Sequence, residues 1–203
     1  MMDLETGKKA LDFLLENSGN RYNLEVDFFG GEPMMNFDVV KQLVDYGRAR
    51  EKEYNKHFRF TMTTNGLLLD DENIEYLNRE MANVVLSLDG RKEINDPMRP
   101  TVNGKGSFDT IVPKFQKLIA GRGDKDYYIR GTFTNHNLDF SKDVMLYHDL
   151  GFQKTSMEPV VTDPNEEYAI REEHLDQILD EYEKLSKDYL RIREDDPDFL
   201  FFH

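Results

Sequence analysis

Five short apolar runs, separated by stretches with helical spacing, constrain this chain more than any other feature. Residues 24–29, 58–64, 84–88, 127–134 and 151–161 read as strands: they are rich in β-branched and aromatic residues and bounded by glycine or polar residues. Between them the apolar positions recur every three or four residues, as in Leu4, Leu11, Leu14 and Leu15, or Val39, Val40, Leu43, Val44 and Tyr46. The spacing predicts helices over 4–17, from the turn at Pro33 to about Glu53, from Asp70 past Leu77, and over 107–120, 139–149 and 170–193. Residues 91–106 read as a long polar loop, and 195–203 as an acidic and then aromatic tail. The predicted order is one helix followed by about five β-α units. Strands that alternate with helices pair in parallel through right-handed crossovers, so the fold class is α/β, with either a barrel-like or an open doubly wound sheet.

In such folds ligands bind beyond the carboxyl ends of the strands. Here those ends carry FGGEP, TTNG, SLDG, FTN and MEPV. Gly30 and Gly31 remove side chains so that a ligand can approach the backbone, Glu32 offers a carboxylate suited to an ammonium group, and Pro33 fixes the entry to the next helix. The alternative is a tight strand-to-helix turn with an exposed Glu32. Strand alternation puts Ser87 and Asp89 on one side of their strand, where they either line a polar pocket or form an ordinary strand end. Asn65 lies in a common turn type. Arg130 falls inside a strand and needs a partner, so it is either an ion-paired core residue or a carboxylate clamp, and Arg99 follows Asp96-Pro97 in the long loop.

Composition narrows the classes. With 203 residues and 38% hydrophobic content the chain suits one domain with a real core. A formal net charge of −14 argues against general binding to nucleic acid or to anionic membranes, because phosphate contacts need Lys and Arg. No apolar run is long enough to cross a bilayer, and the first residues lack the order of a signal peptide, so a cytoplasmic chain is expected. There is no cysteine, which removes disulfides, thiolate metal sites and a cysteine nucleophile from these residues. The five histidines are scattered, and no metal site is expected. Gly104 and Gly106 neither follow a strand nor have a third correctly spaced glycine, so a dinucleotide loop is set aside.

Taken together, FFGGEP, TTNG, SLDG and INDPMRPTVNGKGSFD resemble the radical SAM superfamily, in which GGEP is the S-adenosylmethionine (SAM) motif. The last segment is similar to the "HDxxR…G.GSF" loop of sulfatase and peptide maturases, with Asn95 where His is usual. The whole chain most resembles maturases that install thioether cross-links in six-cysteine (SCIFF) peptides, through LETGKKALDFLLENSGNRYNLEVDFFGGEPMMNFDVVKQLV, VVLSLDGRKEINDPMRPT, YYIRGTFTNHNLDF and MEPVV…YAIREEHL. The resemblance implies a partial (β/α)6 barrel over 1–203, with 164–203 as its C-terminal helix and tail. It implies that Glu32 and the Gly30-Gly31 backbone hold the SAM ammonium, with Pro33, Asn65 and Asp89 also at the cofactor. Ser87 would meet the SAM carboxylate or ribose, and Arg99 or Arg130 would supply the cation for the carboxylate. The segment carrying Glu158 and Val160 would lie near the adenine. The implied intact enzyme reduces a 4Fe-4S cluster, cleaves SAM, takes a hydrogen from a cysteine-rich peptide and joins a sulfur to the carbon, with an electron donor as second partner. The family's CxxxCxxC loop and cysteine-rich SPASM region have no counterpart here, so the chain is expected to be a fragment without turnover, open to self-association. Two other classes stay open: a non-catalytic peptide-binding α/β module, and a metal-assisted α/β enzyme using Asp27, Glu32 or Asp89.

Overall fold

The computed structural model describes residues 2–202, so Met1 and His203, where the expected start and stop fall, lie outside the described residues. The chain divides into two compact units. The first runs to Val85 and takes up Leu118–Asp126; the second comprises Leu86–Lys117 and the chain from Tyr127 onward.

The first unit contains α1 (Leu4–Asn17), β1 (Asn23–Phe28), α2 (Phe37–Tyr54), β2 (His57–Thr64), α3 (Asp71–Glu80) and the start of β3 (Asn83–Ser87). Asp3 caps α1 by accepting from Thr6 N at 2.8 Å, and Asp70 caps α3 through Asn73 N at 2.8 Å. Gly7 shares the buried face of α1 with Leu11 and Leu15, and a Cβ there would lie 2.5 Å from Leu43 Cδ1. The two helices therefore meet where one has no side chain. In β2 every second residue, Phe58, Phe60, Met62 and Thr64, is buried, as a period of two requires. Phe60 stacks on Phe58 and Phe28, with ring centroids 5.4 and 5.8 Å apart. β1 lies parallel to β2, in register from Asn23↔His57 to Phe28↔Met62.

The second unit contains the end of β3, α4 (Lys92–Met98), α5 (Phe108–Ala120), β4 (Asp126–Phe133), α6 (Ser141–Asp149), β5 (Lys154–Pro159), α7 (Leu175–Asp195) and β6 (Leu200–Phe201). β4 and β5 are parallel, from Ile129↔Thr155 to Phe133↔Pro159, and β6 extends the same side through Lys154↔Leu200. Phe133, Phe140, Phe152 and Met157 form its core. The strand order is sequential, β1-β2-β3-β4-β5-β6, and the alternation with helices is that of an α/β fold. No described helix is long and apolar enough to cross a membrane.

The five sequence-predicted strands fall within three residues of their observed limits, and three expectations are corrected. The "loop" 91–106 contains α4, whose single buried side chain is Asn95, so no apolar period announces it. The long final helix begins at Leu175, after a 3-10 turn over Glu172–His174. The aromatic tail holds a sixth strand, too short for alternation to reveal. Its lead-in residue Phe199 is buried edge-on to the His148 ring, with centroids 5.0 Å apart.

Candidate functional site

In the first unit the loop after β1 takes its shape from Gly30 and Gly31, at φ +98° and +54°. L-residues rarely adopt these angles, and a Cβ at either position would meet nothing within 4 Å. The glycines are therefore demanded by the backbone path and leave its surface open. Glu32 then caps the 3-10 turn Pro33–Asn36, with Oε1 accepting from Met34 N at 3.1 Å. The same Oε1 accepts from Thr64 Oγ1 at 2.9 Å, and Oε2 accepts from Asn65 N at 2.7 Å. One carboxylate thus fastens the end of β1 to the end of β2. Thr64 and Asn65 close the TTNG turn by accepting from Gly66 N at 3.1 Å and Leu67 N at 3.0 Å. Phe29 and Met35 flank the loop, each 68% exposed, and Asp27 is exposed on β1.

In the second unit Asp89 is the organising residue. It is buried, and its carboxylate takes a two-point grip from Arg99, Nε to Oδ2 at 2.7 Å and Nη2 to Oδ1 at 3.0 Å. Oδ1 also accepts from Thr132 N at 3.0 Å, and Asp89 N donates to Asn95 Oδ1 at 3.2 Å. Asn95, fully buried, passes the network on to Ser107 Oγ at 3.0 Å. Asp96 Oδ1 accepts from Phe108 N at 2.8 Å and starts α5, while Gly106 lies so close that a Cβ would collide with the Asp96 carboxylate. The SLDG end and the INDPMRPTVNGKGSFD segment are therefore one hydrogen-bonded structure.

Arg130 pairs with Glu158 across β4 and β5: Nε donates to Oε1 at 3.0 Å and Nη2 to Oε2. The pairing raises the Arg130 pKa further. Ser87 ends β3 half-buried, and Val160 N donates to Phe133 O at 2.8 Å. The sequence-selected residues thus assemble as Glu32 with Asn65, Asp89 with Arg99, and Arg130 with Glu158.

Sequence reasoning missed the neighbouring cluster. Asp143, fully buried on α6, accepts from Arg91 N at 2.8 Å, Arg91 Nε at 2.7 Å and Asn137 Nδ2 at 3.0 Å. A Cβ on Gly90, at φ +114°, would overlap the Asp143 carboxylate, and Tyr147 donates its hydroxyl to Leu88 O. A signal was present: Asp143 sits between Phe140, Val144 and Tyr147 on the helix face that packs inward. Arg91 reaches on to Asp139, Nη2 to Oδ1 at 2.6 Å. That hydrogen bond, opposed by burial and assisted by Lys142, pulls the Asp139 pKa from 3.8 down to about 2. A carboxylate with a lowered folded value stabilises the fold above pH ~4, and that contribution is lost as pH falls through about 2. Acid unfolding followed by circular dichroism should show Asp139→Asn less stable than the parent at pH ~6, with the two converging near pH ~2. A gap that persists undiminished at the acid end would show that the ion pair is not its source.

Residues 2–112 match the family model described as "4Fe-4S single cluster domain", more than half of the chain. The chain belongs to that family and, with it, to the radical SAM superfamily. An uncharacterized protein of Methanocaldococcus jannaschii is 33% identical over 147 residues, covering 72% of this chain and 48% of that protein. A cysteine-type anaerobic sulfatase-maturating enzyme of Clostridium novyi is 30% identical over 119 residues, covering 57% of this chain and 30% of that enzyme. The solved structure titled native anSMEcpe with bound AdoMet and Kp18Cys peptide shares the fold, with a TM-score of 0.81 at 18% identity over 94% of this chain and 54% of that one. The chain spans about half the length, or less, of these relatives.

The cofactors of this superfamily are SAM and a 4Fe-4S cluster, and these residues fit them unequally. The sequence has no cysteine, and among the described residues no group of three or more His, Asp or Glu could hold a metal ion. They do not fit the cluster. An open glycine backbone beside a fixed carboxylate does fit the amino-acid end of SAM.

Proposed function

We propose that this chain is the SAM-binding core of a radical SAM enzyme that modifies a cysteine-rich peptide. The observation that carries the proposal is the fixed carboxylate of Glu32. A carboxylate offers about four acceptor positions, of which Met34 N and Thr64 Oγ1 take two on Oε1 and Asn65 N takes one on Oε2. The remaining Oε2 position and the exposed Gly30-Gly31 backbone are available to an ammonium group. Three donors already hold the carboxylate in place, so binding need not order it. In the second unit we assign Ser87, Asp89 and either Arg99 or Arg130 to recognition of the SAM carboxylate and ribose, and Glu158 and Val160 to the adenine side. Each guanidinium uses Nε and Nη2 on its carboxylate, and we assign Nη1 as the donor to the ligand.

SAM is the superfamily's source of a carbon radical. No thiolate for a cluster lies within these residues, so residues 1–203 alone are expected to bind SAM without cleaving it. The peptide partner, the thioether product and the electron donor are assigned from the resemblance to SCIFF maturases. Residues 1–203 are assigned to one radical SAM core domain, with 164–203 as its C-terminal helix and tail.

Calorimetric titration of SAM into the chain tests the proposal. Glu32→Gln, which keeps the side-chain shape but removes the charge, should weaken binding at least ~10-fold, about 1.4 kcal/mol. Ser87→Ala should weaken it by a smaller factor. Absence of binding at millimolar SAM, or a Glu32→Gln variant with parental affinity, would remove the assignment.

A further inference from the structure

α7 presents more apolar surface than its own unit covers. Only Ile178 and Leu185 of its 21 residues are buried. Beside them Tyr182 packs edge-on to Phe133 and Phe140, and Tyr189 lies against Phe199. At about 100° per residue the adjoining stripe runs through Leu175, Leu179, Ser186 and Leu190. Its three leucines are 48%, 66% and 66% exposed. A stripe of this kind continues the apolar face beyond what the helix buries, which is the pattern of a helix with a second partner.

The charges along its outer edge indicate which partner. Asp176 and Asp180 lie in the N-terminal half, Lys187 and Arg191 in the C-terminal half, on the same side of the helix; within the helix the two cations also pair, Lys187 with Glu183 at 2.6 Å and Arg191 with Asp188 at 3.4 Å. If the helix is laid against a reversed copy of itself, Asp176 faces Arg191 and Asp180 faces Lys187. Both pairs are then centred on one point between Glu183 and Lys184. The same dyad brings Leu190 of one copy to the turn between Leu175 and Leu179 of the other. A pattern in which one residue set matches itself after a twofold rotation is what an isologous interface requires.

We propose that α7 pairs antiparallel with α7 of a second copy of this chain, about a twofold axis near Glu183 and Lys184. The seam is about 30 Å long, the length of the helix at 1.5 Å per residue, and one helix from each copy gives an interface at the small end of the range. A weak, reversible dimer follows, and it is independent of SAM.

Sedimentation equilibrium of the full chain from about 1 µM to about 1 mM should show monomer passing to dimer. Leu179→Glu, at an exposed position, should keep the circular dichroism spectrum and weaken association ~30-fold or more, and Leu190→Glu should repeat the effect. Asp180→Lys and Lys187→Asp should each weaken the dimer, and the double variant should regain it. Three outcomes would overturn the proposal. A chain that stays monomeric to about 1 mM would assign the stripe to another partner. A dimer that survives Leu179→Glu would place the contact on another face. Failure of the charge swap to rescue would exclude the antiparallel register.

Discussion

Asp89→Ala should destabilise the chain by about 3–5 kcal/mol, the usual cost of removing one member of a buried ion pair. The Asp89 side chain is 7% exposed against 29% for Arg99, so the carboxylate is the more desolvated partner. Its removal would also strand Thr132 N and strip the Arg99 guanidinium of its two-point contact. For a chain of this size the loss corresponds to a melting temperature lower by roughly 10 °C. Asp89→Asn should lose less, because an amide oxygen can still accept from Thr132 N. Arg99→Met should fall between the two, since Asp89 keeps Thr132 N as a donor. Equal melting temperatures for Asp89→Ala and the parent would mean that this end of β3 is held by the contacts the substitution leaves in place, those of Tyr147, Asp143 and the Asp89 N bond to Asn95. The prediction bears on function as well as stability, because one carboxylate positions both the SLDG turn and the only guanidinium of α4 and its C-cap.

Elements and sites were unequally legible in the sequence, and the reason is the distance over which their determinants act. β2 could be read because Phe58, Phe60 and Met62 alternate within a few residues, and α1 because Leu11 and Leu15 recur at helical spacing. α4 could not, because it is held by Asn95 bonding to Asp89 and Ser107, contacts between polar groups that leave no apolar period. GGEP and TTNG were each visible, but nothing local shows that Glu32 binds the backbone 33 positions away at Asn65. Arg130, inside a strand, needs a partner, while the identity of Glu158 depends on the β4–β5 register, which places Thr132 opposite it. Asp143 is hidden in the sequence for the opposite reason. A carboxylate in the first turn of a helix is ordinarily a solvated cap, and only the inward face it shares with Phe140 and Tyr147 marks it as buried.

A buried arginine hydrogen-bonded to backbone carbonyls gives the second large effect. Arg122 is 3% exposed in the segment that returns to the first unit. Its Nη1 donates to Leu77 O at 3.1 Å, and Nη2 to the carbonyls of Met81 and Ala82, both at 3.1 Å, and of Asp126 at 2.6 Å. Nε donates to Asp126 O at 3.1 Å. The guanidinium thereby satisfies the exit of α3 and the turn into β4 together, where a helix end otherwise leaves carbonyls unpaired. Burial pushes its pKa down to about 10, still well above neutrality, so the cation is present throughout the working range. Hydrogen bonds from a charged donor contribute about 1.5–3 kcal/mol each where they are net favourable, and the cost of burying the cation offsets much of the sum. Arg122→Met should therefore lose about 2–4 kcal/mol, most of it from stranded carbonyls. Arg122→Lys should recover less than half, because an ammonium is a point donor and cannot span acceptors lying on two sides of a planar fork. The hydrogen-bond acceptors are neutral carbonyls, and the Asp126 charge assists the cation less than burial opposes it, so the loss should change little between about 0.1 M and 1 M salt. Thermal melts of the two variants at both salt concentrations decide the matter. A lysine variant as stable as the parent would show that charge alone suffices at this position, and the planar fork would then have no structural role.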